Sequence, residues 1–101
     1  MIISSQRYID DETVAKKIDA ADYVVFVSPE FEVDDMTVQV VLDGHHSLAA
    51  AKIAGVEPEY RVMTAMDHDA IGIEQEDPEA FLEITYMDSD YYDIDTGATL
   101  W

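Results

Sequence analysis

No part of this chain limits its fold more than Val38 to Val56, which reads Val-Gln-Val-Val-Leu-Asp-Gly-His-His-Ser-Leu-Ala-Ala-Ala-Lys-Ile-Ala-Gly-Val. Its first residues are apolar and β-branched, the composition of a buried strand. Asp43-Gly44 breaks that run, and an alanine-rich segment follows that stops at Gly55, with Pro58 preventing any continuation. The stretch is therefore a strand, a tight turn and a helix from about His46 to Ala54. Two imidazoles and a hydroxyl, His45, His46 and Ser47, fall where turn becomes helix. The first N–H groups of a helix lack internal partners and carry the positive end of its dipole, so such a corner can receive an anion.

The remaining segments supply partners for this unit. Ile2-Ile3 suits an edge strand, and Asp10-Asp11 precedes a helix with Val14, Ile18 and Ala21 on one face and lysines toward its end. Tyr23 to Val27 reads as a buried strand closed by Ser28-Pro29. Phe31 to Val33, the turn Asp34-Asp35 and Met36 to Leu42 read as neighbouring pieces of one sheet, with a hairpin between them. Tyr60 to Thr64 is a further strand, and a strand, short helix and strand with short links fit a right-handed parallel crossover. Asp77-Pro78 opens a short helix carrying Phe81, Leu82 and Ile84, and the chain from Asp95 to Trp101 folds back around Thr96-Gly97. The expected fold class is α/β (α+β), a small mixed sheet with short helices, in a single domain over residues 1–101.

Charge sets the partners. Twenty-three acidic residues against five basic ones give a formal net charge of −18. DNA and RNA are held mainly by lysine and arginine on phosphates, so direct nucleic-acid binding is disfavoured. From Asp67 onward there are eleven acids and no lysine or arginine, which makes the last third an acidic stretch. Three accounts of the charge stand: a solvated surface suited to high salt, an acidic face for a basic protein partner, or a surface imitating nucleic acid. No apolar run approaches the roughly 20 residues needed to cross a bilayer, and Met1-Ile2-Ile3-Ser4 does not resemble a signal peptide. The expected location is cytoplasmic, with no membrane partner. The absence of cysteine excludes disulfides, thiolate nucleophiles and thiolate metal sites.

Asp43-Gly44-His45-His46, preceded by an apolar strand and followed by Leu48-Ala49-Ala50-Ala51-Lys52 and Gly55, resembles the signature of the ParB/sulfiredoxin-like superfamily, commonly Asp-Gly-His-His-Arg before an alanine-rich helix. The resemblance covers about Tyr23 to Val62. It implies a nucleotide-binding fold whose loop and helix start hold phosphates, with ATP, CTP or ADP and Mg²⁺ as the cofactors to expect. On that pattern Gly44, His45, His46 and Ser47 form the phosphate or nucleotide site, and Asp43 and His46 are the catalytic candidates. The chemistry is then phosphoryl transfer or nucleotide hydrolysis. His45 falls where sulfiredoxins carry a catalytic cysteine, so that chemistry is excluded. Ser47 stands in place of the family's arginine, and loss of its forked cationic contact costs roughly 1.5 to 3 kcal/mol.

Plainer roles compete at each position. His45 and His46 can simply close the turn through hydrogen bonds to carbonyls or Asp43, Asp43 is a frequent turn residue, and Ser47 is expected to cap the helix. Adjacent histidine side chains often diverge, and no further ligand is fixed by spacing to join them with Asp43, so no metal site is assigned. His68 reads as a lone surface histidine, and Tyr86, Tyr91 and Tyr92 as core or rim. The alternative function is a non-enzymatic acidic interaction protein: a phage or plasmid inhibitor, an immunity protein or a nucleic-acid mimic that binds a basic partner. Clustering of the carboxylates between Asp67 and Asp95 is what that alternative requires.

Overall fold

A computed structural model describes residues 1–101. In chain order the elements are β1 (Ile2–Ser4), α1 (Asp11–Asp19), β2 (Val24–Val27), β3 (Phe31–Val33), β4 (Met36–Asp43), α2 (His45–Ala54), β5 (Glu59–Val62), α3 (Ile73–Glu76), α4 (Pro78–Thr85) and β6 (Tyr92–Asp93). The six strands form one mixed sheet in the order β5-β2-β4-β1-β6, with β3 also beside β4. The expected α+β class, a small mixed sheet with short helices, is the fold.

β4 is the centre because it is the longest strand and alternates cleanly. Val38 and Val40 face one side with Ile3, Phe31, Ala70, Phe81 and Tyr91; Val41 faces the other with Val25, Val27, Leu48 and Ile94. α4 covers the first face through Phe81, and α2 covers the second through Leu48. α1 packs against α2. No helix is long and apolar enough to cross a membrane.

Both edges of β4 are occupied. β1 runs parallel along one, and β2 and β3 run antiparallel to it on the other. The β3–β4 hairpin turns through Asp34 and Asp35, at φ 51° and 63°. Two consecutive left-handed residues make a turn whose twist suits a hairpin, and Asp tolerates that region better than most side chains. The β2–β4 ladder slips between Phe26 and Val27, just before Ser28. Ser28 donates its N–H to Val40 O at 2.8 Å and accepts the Val40 N–H on its hydroxyl at 2.9 Å.

The occupied edges overturn one expectation. β4, α2 and β5 do not form a parallel crossover: β5 pairs parallel with β2, which is antiparallel to β4, so β5 runs opposite to β4. With β1, β2 and β3 already on β4, the returning strand finds only the free edge of β2. The strand itself is shorter and earlier than expected, Glu59–Val62. The C-terminal fold-back around Gly97 forms as expected. Gly97, at φ 78°, donates its N–H to Asp93 O at 2.7 Å, and Tyr92 bridges to Thr99.

Candidate functional site

α2 starts one residue earlier than its composition suggests, at His45, with Gly44 as N-cap in the left-handed region. Glycine is required there twice over. Its φ of 89° strains any L side chain, and a Cβ would lie 2.5 Å from Val24 O and 2.9 Å from Val25 Cα. The close approach that Gly44 permits is therefore to the backbone of β2. Asp43 accepts the Gly44 N–H at 2.8 Å and keeps its carboxylate exposed.

The early start also moves Ser47. It is the third helical residue rather than the cap, it is 1 % exposed, and its hydroxyl contributes, behind Lys17 and the Val24 N–H, to holding the Asp22 carboxyl below the usual carboxylate range. The expectation of a serine cap is thus corrected: no side chain caps α2, and its first turn carries no acid. By contrast α1 and α4 are capped by Asp10 and Asp77, which accept from Glu12 N and Ala80 N.

This uncapped end opens on a cleft of about 490 Å³ lined by Asp43, Gly44, His45 and His46 together with Tyr8 from the segment after β1, Lys17 of α1 and Asp88 from the segment after α4. Ser47 does not line it. Four of the five expected site residues are thus brought together, and the fifth faces away.

The two histidines differ in what they can offer. The Asp10 backbone N–H can only donate, so His46 accepts it on Nε2 at 3.1 Å, and in the neutral ring the proton sits on Nδ1 as a donor for a ligand. His45 has the opposite arrangement. Its Nε2 lies 3.0 Å from Tyr8 O, a carbonyl that can only accept, so the proton is on Nε2 and Nδ1 is a bare, buried acceptor without a partner. His45 is a strap that ties α2 to the segment after β1. The plainer expectation, a histidine bonded to a carbonyl, describes His45.

Burial is the main cause that pushes His45 below the ordinary imidazole range, with the neighbouring His46 and Lys52 acting in the same direction against Tyr8 O and Asp88. The folded state therefore takes up this proton less readily than the unfolded chain. Stability from the neutral ring is complete above the unfolded value of about 6.5 and is lost as pH falls below it, at no more than about 1.4 kcal/mol per pH unit. Urea unfolding at pH 7.5 and pH 5.5 should show this loss in the native protein and a smaller one in His45→Gln. Equal losses in both would remove the assignment.

Sequence reading missed the other walls. Asp88 accepts the N–H groups of Arg7 and Tyr8 at 2.8 and 3.2 Å, clasping residues 81 and 80 positions away. Lys17, expected to be an ordinary helix-surface lysine, is the one lysine or arginine of the lining, and it pairs with Asp22 at 2.9 Å. Only its place on the inner face of α1 could have hinted at this. No three histidine or acidic side chains come together as a metal cage. His68 accepts the Ala70 N–H and stays remote from the helix corner by sequence and lining. Tyr91 is core, Tyr92 is half-buried beneath Arg7, and Tyr86 is exposed, so the three tyrosines form no single patch.

In the acidic stretch, Asp67, Glu74, Asp77 and Asp93 each accept backbone N–H groups at turns or caps, and Asp88 accepts those of Arg7 and Tyr8 across the fold. Local structure accounts for the first four carboxylates, and a tertiary contact for Asp88. No family model matches the chain, and neither a curated protein nor a solved structure matches it.

Proposed function

We propose that the cleft at the start of α2 binds a nucleotide or another phosphorylated small molecule, as a ParB/sulfiredoxin-like site in which the usual arginine is replaced. The observation that carries this reading is the bare N-terminus of a ten-residue helix, with neither a side-chain cap nor an acid in its first turn, opening into a cleft. His46 Nδ1 adds a donor beside it. The carboxylates of Asp43 and Asp88 oppose a polyanion, and Mg²⁺ is the natural mediator. It would arrive with the phosphates, since magnesium is usually held by one or two carboxylates plus substrate oxygens.

Asp43, exposed at the mouth, is the carboxylate available to such an ion or to a reacting water, and His46 is the donor for phosphate oxygens. If the nucleotide turns over, the reaction these groups fit is phosphoryl transfer or hydrolysis.

Titration calorimetry with ATP, CTP and ADP, with and without Mg²⁺, tests the reading. Dissociation constants of about 0.1 to 1 mM are expected in the presence of magnesium, weakened at least tenfold in His46→Ala. Absence of heat at several millimolar nucleotide overturns it.

A further inference from the structure

On the far side of His45 lies a second hollow, of about 240 Å³, between α2, the segment after β1 and Tyr92. Its lining holds two of the five basic residues of the chain, Arg7 and Lys52, and no acidic residue at all. In a protein with 23 acids that local absence is informative. The two ion pairs in the structure use Lys17 and Arg61, which leaves Arg7 and Lys52 without a carboxylate partner. Both cations are nevertheless held in place. The Arg7 guanidinium stacks 4.0 Å above the Tyr92 ring, and Lys52 donates to Ile94 O at 2.5 Å.

Apart from His45, the other walls are apolar: Ile9, Leu48, Ala49 and Tyr92. Two cations in the lining of a largely apolar hollow suit a ligand with an anionic head and a hydrophobic body. A guanidinium fixed by stacking on an aromatic ring keeps its donor edge free, and that edge matches the two oxygens of a carboxylate. The volume corresponds to about eight waters, which limits the ligand to a small molecule.

We propose that this hollow binds a small amphipathic carboxylate, aromatic or branched, with its carboxylate on Arg7 and Lys52 and its body against Ile9, Leu48 and Tyr92. The site is separate from the cleft at the start of α2 and does not rest on the nucleotide reading.

Nuclear magnetic resonance titration of the full chain with benzoate, benzamide and inorganic phosphate tests it. Benzoate should shift the resonances of Ile9, Leu48, Ala49 and Tyr92 with a millimolar dissociation constant, while those of Gly44 and His46 stay in place. Benzamide, the neutral isostere, and inorganic phosphate, which lacks the apolar body, should each bind at least tenfold more weakly. Arg7→Gln and Lys52→Gln should each weaken benzoate about tenfold, and Lys16→Gln, the same charge change on exposed α1, should not. A thermal melt of each variant identifies any that is unfolded, and the remaining variants then decide the matter. The proposal is overturned by the absence of shifts at tens of millimolar benzoate, by benzamide or phosphate binding as tightly, or by Lys16→Gln having the same effect as the pocket variants.

Discussion

Gly44→Ala is expected to destabilise the protein by roughly 3 kcal/mol or more, a large fraction of what holds a domain of this size together. Two separate penalties add. A left-handed backbone costs an L-alanine roughly 1 to 2 kcal/mol. Beyond that, the new methyl would lie 2.5 Å from Val24 O and 2.9 Å from Val25 Cα, both backbone atoms of β2 that move only with the sheet. Gly55 supplies the control within the same helix. Its φ of 71° imposes the first penalty, but nothing lies within 4 Å of where its Cβ would be. Urea unfolding of Gly55→Ala should therefore show a loss near 1 to 2 kcal/mol, and Gly44→Ala distinctly more. Equal losses would mean that the turn can move off β2. The consequence for function is direct: failure of Gly44→Ala to bind a ligand would follow from displacement of α2, and would not place the ligand against that residue.

Gly44 also marks how far the sequence could be read. The strand, the turn and the alanine-rich helix are legible because each is fixed by local chemistry: β-branched residues, an Asp-Gly break and a glycine stop. The Asp77-Pro78 helix and the Gly97 fold-back follow for the same reason. What sets the position of β5 is not local. It depends on which strand edges β1, β2 and β3 leave open, and no periodicity in Tyr60 to Thr64 encodes that. The start of α2 shows the same limit on a smaller scale. Serine is a frequent cap, but here Gly44 takes that position because it can sit against β2, and Ser47 is carried one turn inward to where it helps to stabilise the Asp22 carboxylate. The four residues Asp43 to His46 could be named as a cluster because they are consecutive. Tyr8, Lys17 and Asp88 could not, since long-range contacts such as the clasp of Asp88 on the amides of Arg7 and Tyr8 bring those walls together.

Phe81→Ala is expected to cost roughly 3 to 5 kcal/mol, the range for deleting a fully buried aromatic ring. Phe81 is 0 % exposed, and its ring meets Phe31 edge to face, with centroids 5.3 Å apart and planes at 75°. It is the contact by which α4 closes the face of the sheet opposite α2. The neighbouring polar groups cannot replace it. Thr85 already bonds Phe81 O at 2.9 Å, and the Tyr91 hydroxyl already bonds Thr85 and Leu82 O. A double-mutant cycle with Phe31→Ala should give a coupling of about 0.5 to 1.5 kcal/mol from the aromatic pair. Phe81→Leu, which keeps most of the volume, should lose less than about half as much as the alanine variant. Because Phe81 packs on the face of the sheet opposite α2, Phe81→Leu should leave benzoate shifts and nucleotide heats as they are in the native protein. A loss below about 1 kcal/mol for Phe81→Ala would mean that α4 does not close this core. Weakened binding in a folded Phe81→Leu would mean that the two faces are coupled through β4, whose Val40 and Val41 point to opposite sides.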